Sequence, residues 1–166
     1  DFNEKPQGDN FWINAGYLGL VYGPTMVFAE LWGVSYLQGA YNISHEMAAM
    51  VVSMVFWGWA VGGPLTGWLS DHIGRRKPIM LASALASLVL ITLIIYGTFI
   101  PLWMLFVCCF LYGVGNTGVG ASYALSGEIN PRRVAGTSIA FANMASIIIG
   151  AFMQPIVGWL LVLFWD

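Results

Sequence analysis

Five apolar runs, at about residues 11–39, 46–70, 79–97, 102–125 and 134–163, leave this chain few ways to fold. At 1.5 Å per helical residue, each is long enough to cross a hydrocarbon core about 30 Å thick, a distance that takes roughly 20 residues. Only 8% of the residues are charged, against about 25% in a soluble domain. So little charge cannot solvate a surface, so the solvent for most of the chain is lipid. In lipid every backbone N–H and C=O must be satisfied internally, and runs of this length do that as helices. The expected fold is therefore an all-α integral membrane domain of five transmembrane helices.

The polar residues between the runs set the topology. The first ten residues form a polar lead-in, followed by a first span with Gly23-Pro24 at its middle and Glu30 beyond it. A proline there removes a backbone donor and favours a kink. Ser44 is placed to cap the second span, with Glu46 in its first turn. That span carries Gly58/Gly62 and Gly63/Gly67, small residues four apart that let a neighbouring backbone come close. The third span, lacking charge, amide and proline, reads as a helix that mostly meets lipid. A short loop ending at Pro101 leads into the fourth, where Gly118, Ser122 and Ser126 share a face. Pro131 suits a helix start, and the fifth span has the ladder Ala142/Ser146/Gly150.

Lys5, Arg75, Arg76, Lys77, Arg132 and Arg133 are the only basic residues. With alternating spans all six fall on one side, and the positive-inside rule makes that side cytoplasmic. The N-terminus is then cytoplasmic and the chain multi-pass. A stop after five spans is read as a fragment that lacks its last helix. Cys108 and Cys109, adjacent within an apolar run, read as small embedded side chains rather than a disulfide or metal site.

The turn between the second and third spans, GWLSDHIGRRKP, resembles the signature loop of the major facilitator superfamily. Gly67, Leu69, Asp71, Gly74, Arg75 and Arg76 match it, and His72 stands where the family has a cation. The resemblance implies one six-helix half of a secondary transporter in a plasma membrane, the inner membrane of a bacterium. GYLGLVYGPTMVFAELWG is similar to the family's seventh helix and GAFMQPIVGWLL to its eleventh, which implies the C-terminal half. FAELWG further resembles nutrient and amino-acid importers of the phagosomal-transporter type. The partners implied are a small-molecule substrate, protons, the lipid bilayer, and the N-terminal half or a second copy of this half.

The resemblance also implies a conformational switch: the Arg matching Arg75 pairs with an acid ending the fourth helix, here Glu128, while Asp71 contacts the other half. Arg76 or Arg132 could join that cluster. For the proton or substrate, Glu30 stands out as the one ionisable side chain deep in a span, where an acid costs about 2.5–3.5 kcal/mol unless it meets protein or water. Asn116, Thr117, Asn143 and Gln154 are candidate substrate contacts or interhelical hydrogen bonds, and Tyr22 and Trp32 are candidate cavity aromatics. The expected activity is proton-coupled alternating-access transport of a small polar nutrient. Drug or metabolite efflux by the same fold, or a membrane oligomerisation module, are the alternatives. A membrane enzyme using Glu30, His45 and Glu46 is disfavoured because the last two sit at a loop edge. No phosphate-binding loop, catalytic set, metal cluster or basic nucleic-acid stripe is present, so neither a cofactor nor nucleic acid is expected.

Overall fold

A computed structural model describes residues 8–97 and 99–164. Lys5, most of the polar lead-in and Thr98 of the third loop lie outside the described residues. The first span is composite: helix α1 (Gly8–Val27), a π-turn (Phe28–Trp32) and helix α2 (Gly33–Tyr41). After it come α3 (His45–Ile73), α4 (Arg76–Tyr96), α5 (Leu102–Asn116), α6 (Val119–Glu128) and α7 (Ala135–Phe164). Four stretches, His45–Ile73, Arg76–Tyr96, Leu102–Glu128 and Ala135–Leu163, are each long and apolar enough to cross a membrane. The all-α reading is correct.

Pro24 does not end or break the first helix, which continues through it to Val27. The irregularity comes a turn later. The Gly33 N–H bonds to the Phe28 carbonyl, five residues back, and a Cβ on Gly33 would lie 2.3 Å from that oxygen. The widened turn is therefore built around a residue with no side chain. The fourth span also departs from a single regular helix. It tightens at Thr117, whose N–H reaches the Val114 carbonyl at 3.2 Å, and then continues as α6 to Glu128. The Thr117 hydroxyl donates to the same Val114 carbonyl and stabilises the tight turn.

Ser44 caps α3 as expected, its Oγ accepting from Met47 N at 3.3 Å. The second span extends past residue 70, so Asp71 belongs to its last turn. Most of α4 lies at the bundle surface, as the lipid-facing reading expects, and one strip of it is buried. Ile79, Met80, Ser83, Ser87 and Ile94 are buried on one face, while Leu81, Leu85, Leu88 and Val89 are exposed on the other. Serines in that span have a use that an all-round apolar reading missed: Ser83 donates to the Gly115 carbonyl and accepts from Gly118 N.

Two close crossings hold the bundle. At one, α3 meets α5 almost backbone to backbone. A Cβ on Gly58 would sit 2.1 Å from the Phe110 carbonyl, and one on Gly113 2.1 Å from that of Val55. Around this crossing Leu37, Val51, Val55, Ile94, Leu105, Cys109 and Tyr112 form the main core. The other crossing, α1 against α7, seats Ile149 on Gly19 and Met26 on Gly150. The two loop ends are well separated in kind. Tyr41 OH donates to the Gly97 carbonyl at 3.0 Å, joining the uncharged loops, and the basic turns gather at the opposite end. Of the two glycine pairs in α3, Gly58/Gly62 is the packed one, whereas Gly63 and Gly67 face open space.

Gly113→Ala should thus destabilise the bundle by about 1–3 kcal/mol, the usual range for forcing a methyl into a filled contact. Gly63→Ala should change stability by no more than about 0.5 kcal/mol. Unfolding of the detergent-solubilised protein, followed by circular dichroism, distinguishes the two; equal effects would contradict the crossing.

Candidate functional site

Chain reversal at the signature turn depends on Gly74. Its φ of +66° places it in the left-handed region, and its N–H closes α3 on the Ser70 carbonyl at 3.1 Å. Arg75 follows in extended backbone as the N-cap of α4, and Arg76 begins the helix. The helix dipoles make these charges awkward. Asp71 and Glu128 lie at the C-terminal ends of α3 and α6, where an anion is disfavoured, and Arg76 lies at an N-terminus, where a cation is. Bringing them together relieves all three.

Arg76 Nη1 meets Asp71 Oδ1 at 2.7 Å and also donates to Ser70 Oγ at 2.7 Å. Its Nη2 and Nε reach Glu128 Oε1 at 2.8 and 3.2 Å. The guanidinium is largely covered, but the Asp71 side chain is 72% exposed and Glu128 52%. Ion pairs this wet contribute about 0–1 kcal/mol. Their effect is geometric: one side chain ties the ends of α3, α4 and α6. Arg76 occupies the place expected for Arg75, which is exposed and makes no ion pair among the described residues. The reason is positional. As an extended N-cap Arg75 projects away, while Arg76, one residue into the helix, turns back over the bundle. Arg132 makes no described ion pair either.

A second group of polar residues lies along the bundle. Tyr22 OH donates to Glu30 Oε1 at 3.0 Å. Eight residues of regular helix would set these two about 80° apart around the axis. The π-turn rotates less per residue, and so swings Glu30 back toward the Tyr22 face. Glu30 is exposed on this bundle rather than enclosed by it. Tyr22 packs edge-on to Trp59, with ring centroids 5.7 Å apart. Both lie with Tyr123 over a small core of Leu18, Val119 and Ala142, and Tyr123 OH donates to Asn143 Oδ1 at 2.7 Å. Tyr22, Glu30 and Asn143 are thereby brought to one face drawn from α1, α3, α6 and α7. Trp59 Nε1 is buried beside it without a hydrogen-bond partner among the described residues.

The other candidates lie elsewhere. Asn116 is fully buried and donates to the Val21 carbonyl at 2.9 Å. Thr117 shares a 2.6 Å hydrogen bond with Thr66 across α3. Gln154 donates to the Met26 carbonyl and, through its own carbonyl, accepts from Trp32 Nε1, both at 3.3 Å. These three stitch helices together. Trp59 and Tyr123 were missed in the sequence because an aromatic in an apolar run looks like any core residue. So was Asn14, which exchanges hydrogen bonds with Ser122 and Ser126 at 2.6 and 2.7 Å; its place near the start of a span was the available signal.

A helical bundle whose spans are long and apolar enough to cross a membrane, with a charged cluster at one end and an aromatic, amide-bearing face along its length, is the build of a multi-pass membrane protein. The chain belongs to the Major Facilitator Superfamily, whose family model matches residues 15–166. It is similar to the arabinose-proton symporter of Bacillus subtilis, 37% identical over 75 residues that cover 45% of this chain and 16% of that protein. The matched region thus spans about a sixth of that relative. No solved structure matches the chain.

Because Arg76 alone bridges the two acids, Arg76→Gln should lower stability by up to about 1 kcal/mol and Arg75→Gln should have no measurable effect. Gly74→Ala, which forces a side chain into the left-handed region, should cost about 1–2 kcal/mol. Chemical unfolding of the three variants in one detergent provides the comparison, and a larger loss for Arg75→Gln than for Arg76→Gln would refute the assignment.

Proposed function

We propose that this chain is the C-terminal half of a proton-coupled secondary transporter for a small polar solute. The five spans, about residues 11–163, form the transmembrane half-domain behind a polar lead-in, with the N-terminus and the basic turns cytoplasmic. Substrate binds near the bilayer midplane between this half and a partner half, and one half rocks against the other. The observation that carries the reading is the Tyr22–Glu30 pair beside Trp59, Tyr123 and Asn143. A carboxylate held by a tyrosine at the irregular turn of a spanning helix supports Glu30 as the residue that couples transport to protons. The neighbouring aromatic rings and amide suit a hydroxyl-rich or zwitterionic solute.

The symporter relative is named for arabinose and protons, which favours a sugar over the amino acid suggested by the FAELWG resemblance. At the cytoplasmic end, Asp71, Arg76 and Glu128 act as a latch: Asp71, mostly exposed, presents its carboxylate to the partner half while Arg76 holds it in register with Glu128. Gly74, in the left-handed region, gives the turn its shape.

Proteoliposomes containing the two-half transporter test this with a panel of pentoses, hexoses and amino acids, with and without an inward proton gradient. Glu30→Gln is expected to abolish gradient-driven uptake while leaving substrate exchange measurable, and Asn143→Ala to raise KM by about tenfold, the equivalent of one lost hydrogen bond of about 1.4 kcal/mol. Gradient-driven uptake undiminished in Glu30→Gln would refute the proton role.

A further inference from the structure

The basic end of the bundle contains a groove that runs alongside the Arg76–Glu128 pair. It has a volume of about 510 Å³ and is lined by Gly74, Arg75, Arg76, Lys77, Pro78, Leu125 and Glu128. Among the residues with described side chains, this end carries five cations, Arg75, Arg76, Lys77, Arg132 and Arg133, against the carboxylates of Asp71 and Glu128. Both carboxylates are held by Arg76. Arg75 and Lys77, on the rim of the groove, are exposed and have no ion-pair partner there. Arg132 and Arg133, on the next turn, add to the same positive field.

The apolar surroundings narrow the ligand further. Pro78 and Leu125 form part of the wall. Below the rim, α4 exposes Leu81 and Leu85, one and two turns beyond Lys77 in the direction of the bilayer. On the neighbouring helix α3, Trp68 is 63% exposed and stacks on His72, with centroids 5.4 Å apart and planes 11° apart. An aromatic ring at this level is a membrane-interface anchor. Cations above an apolar strip at the interface match a molecule with an anionic head and an acyl tail, and a soluble anion would leave the strip unused.

We propose that this groove is a binding site for an anionic phospholipid, with the headgroup phosphate held by Arg75 and Lys77 and the acyl chains lying along α4. Juxtamembrane cations each contribute noticeably to anionic-lipid attraction. Arg76 keeps its carboxylates, so the lipid adds charge compensation to the turn without dismantling the latch. The site does not depend on which solute is transported.

The test uses the intact protein extracted from its membrane in a mild detergent and titrated with phosphatidylglycerol, phosphatidylcholine or inorganic phosphate, with bound species counted by native mass spectrometry. Wild type should retain phosphatidylglycerol at least tenfold more than phosphatidylcholine, and inorganic phosphate at the same concentration should not displace it. The double variant Arg75→Gln/Lys77→Gln should lose that preference, while Arg75→Lys/Lys77→Arg keeps it. Circular dichroism confirms that both fold, as expected for exposed residues. Equal retention of the two lipids by wild type, unchanged preference in the Gln variant, or displacement by inorganic phosphate would overturn the proposal.

Discussion

The α3–α5 crossing at Gly58 and Gly113 sets the positions on which the rest depends. In lipid, helices gain little from hiding apolar surface from one another, so close backbone contact and interhelical hydrogen bonds must supply the association. A methyl group at either glycine would meet a carbonyl oxygen at 2.1 Å, so the two helices can approach this closely only without side chains. From that contact the consequences run along α3 toward its C-terminal end. About two turns further, Thr66 reaches Thr117 at the tight turn between α5 and α6. At the end of the same helix, Asp71 is brought within reach of Arg76, which reaches Glu128 at the end of α6.

Irregular backbone does the work of aiming side chains. The π-turn at Phe28–Trp32 brings Glu30 onto the Tyr22 face, and the tight turn at Thr117 separates an apolar, core-forming α5 from a small-residue α6. At both irregularities side chains bond nearby backbone carbonyls, Ser83 that of Gly115 and Thr117 that of Val114 at the tight turn. The Met26 carbonyl, next to the π-turn, receives Gln154 Nε2 from α7. Polar residues in these spans therefore fall into two groups. Asn14, Asn116, Thr117 and Gln154 are spent on holding helices to one another. Tyr22 and Glu30 bond each other, and Asn143 bonds Tyr123, on one face of the bundle.

The charged turn shows how little energy such a device needs. Its ion pairs are exposed on the acid side and individually weak, so they can be broken and remade without unfolding the bundle. What makes them specific is geometry, since three helix ends with unfavourable charge–dipole pairings converge on a single guanidinium. The remaining cations of the same turn, Arg75 and Lys77, are exposed and outside the described ion pairs.

The sequence by itself determined the all-helical membrane fold, the end of the bundle at which the basic turns gather, and the Ser44 cap. It could do so because length, hydropathy and charge placement act locally and lipid permits few alternatives. It also marked Glu30, Asp71 and Glu128 as the acids that need an explanation. Only the tertiary structure decided that Arg76 rather than Arg75 joins the acids, that one face of α4 is buried, and which amides are structural. Those outcomes depend on rotation about helix axes and on where a helix starts or widens. A shift of a single residue moves a side chain by about 100°, and nothing in the local composition of an apolar run records that angle.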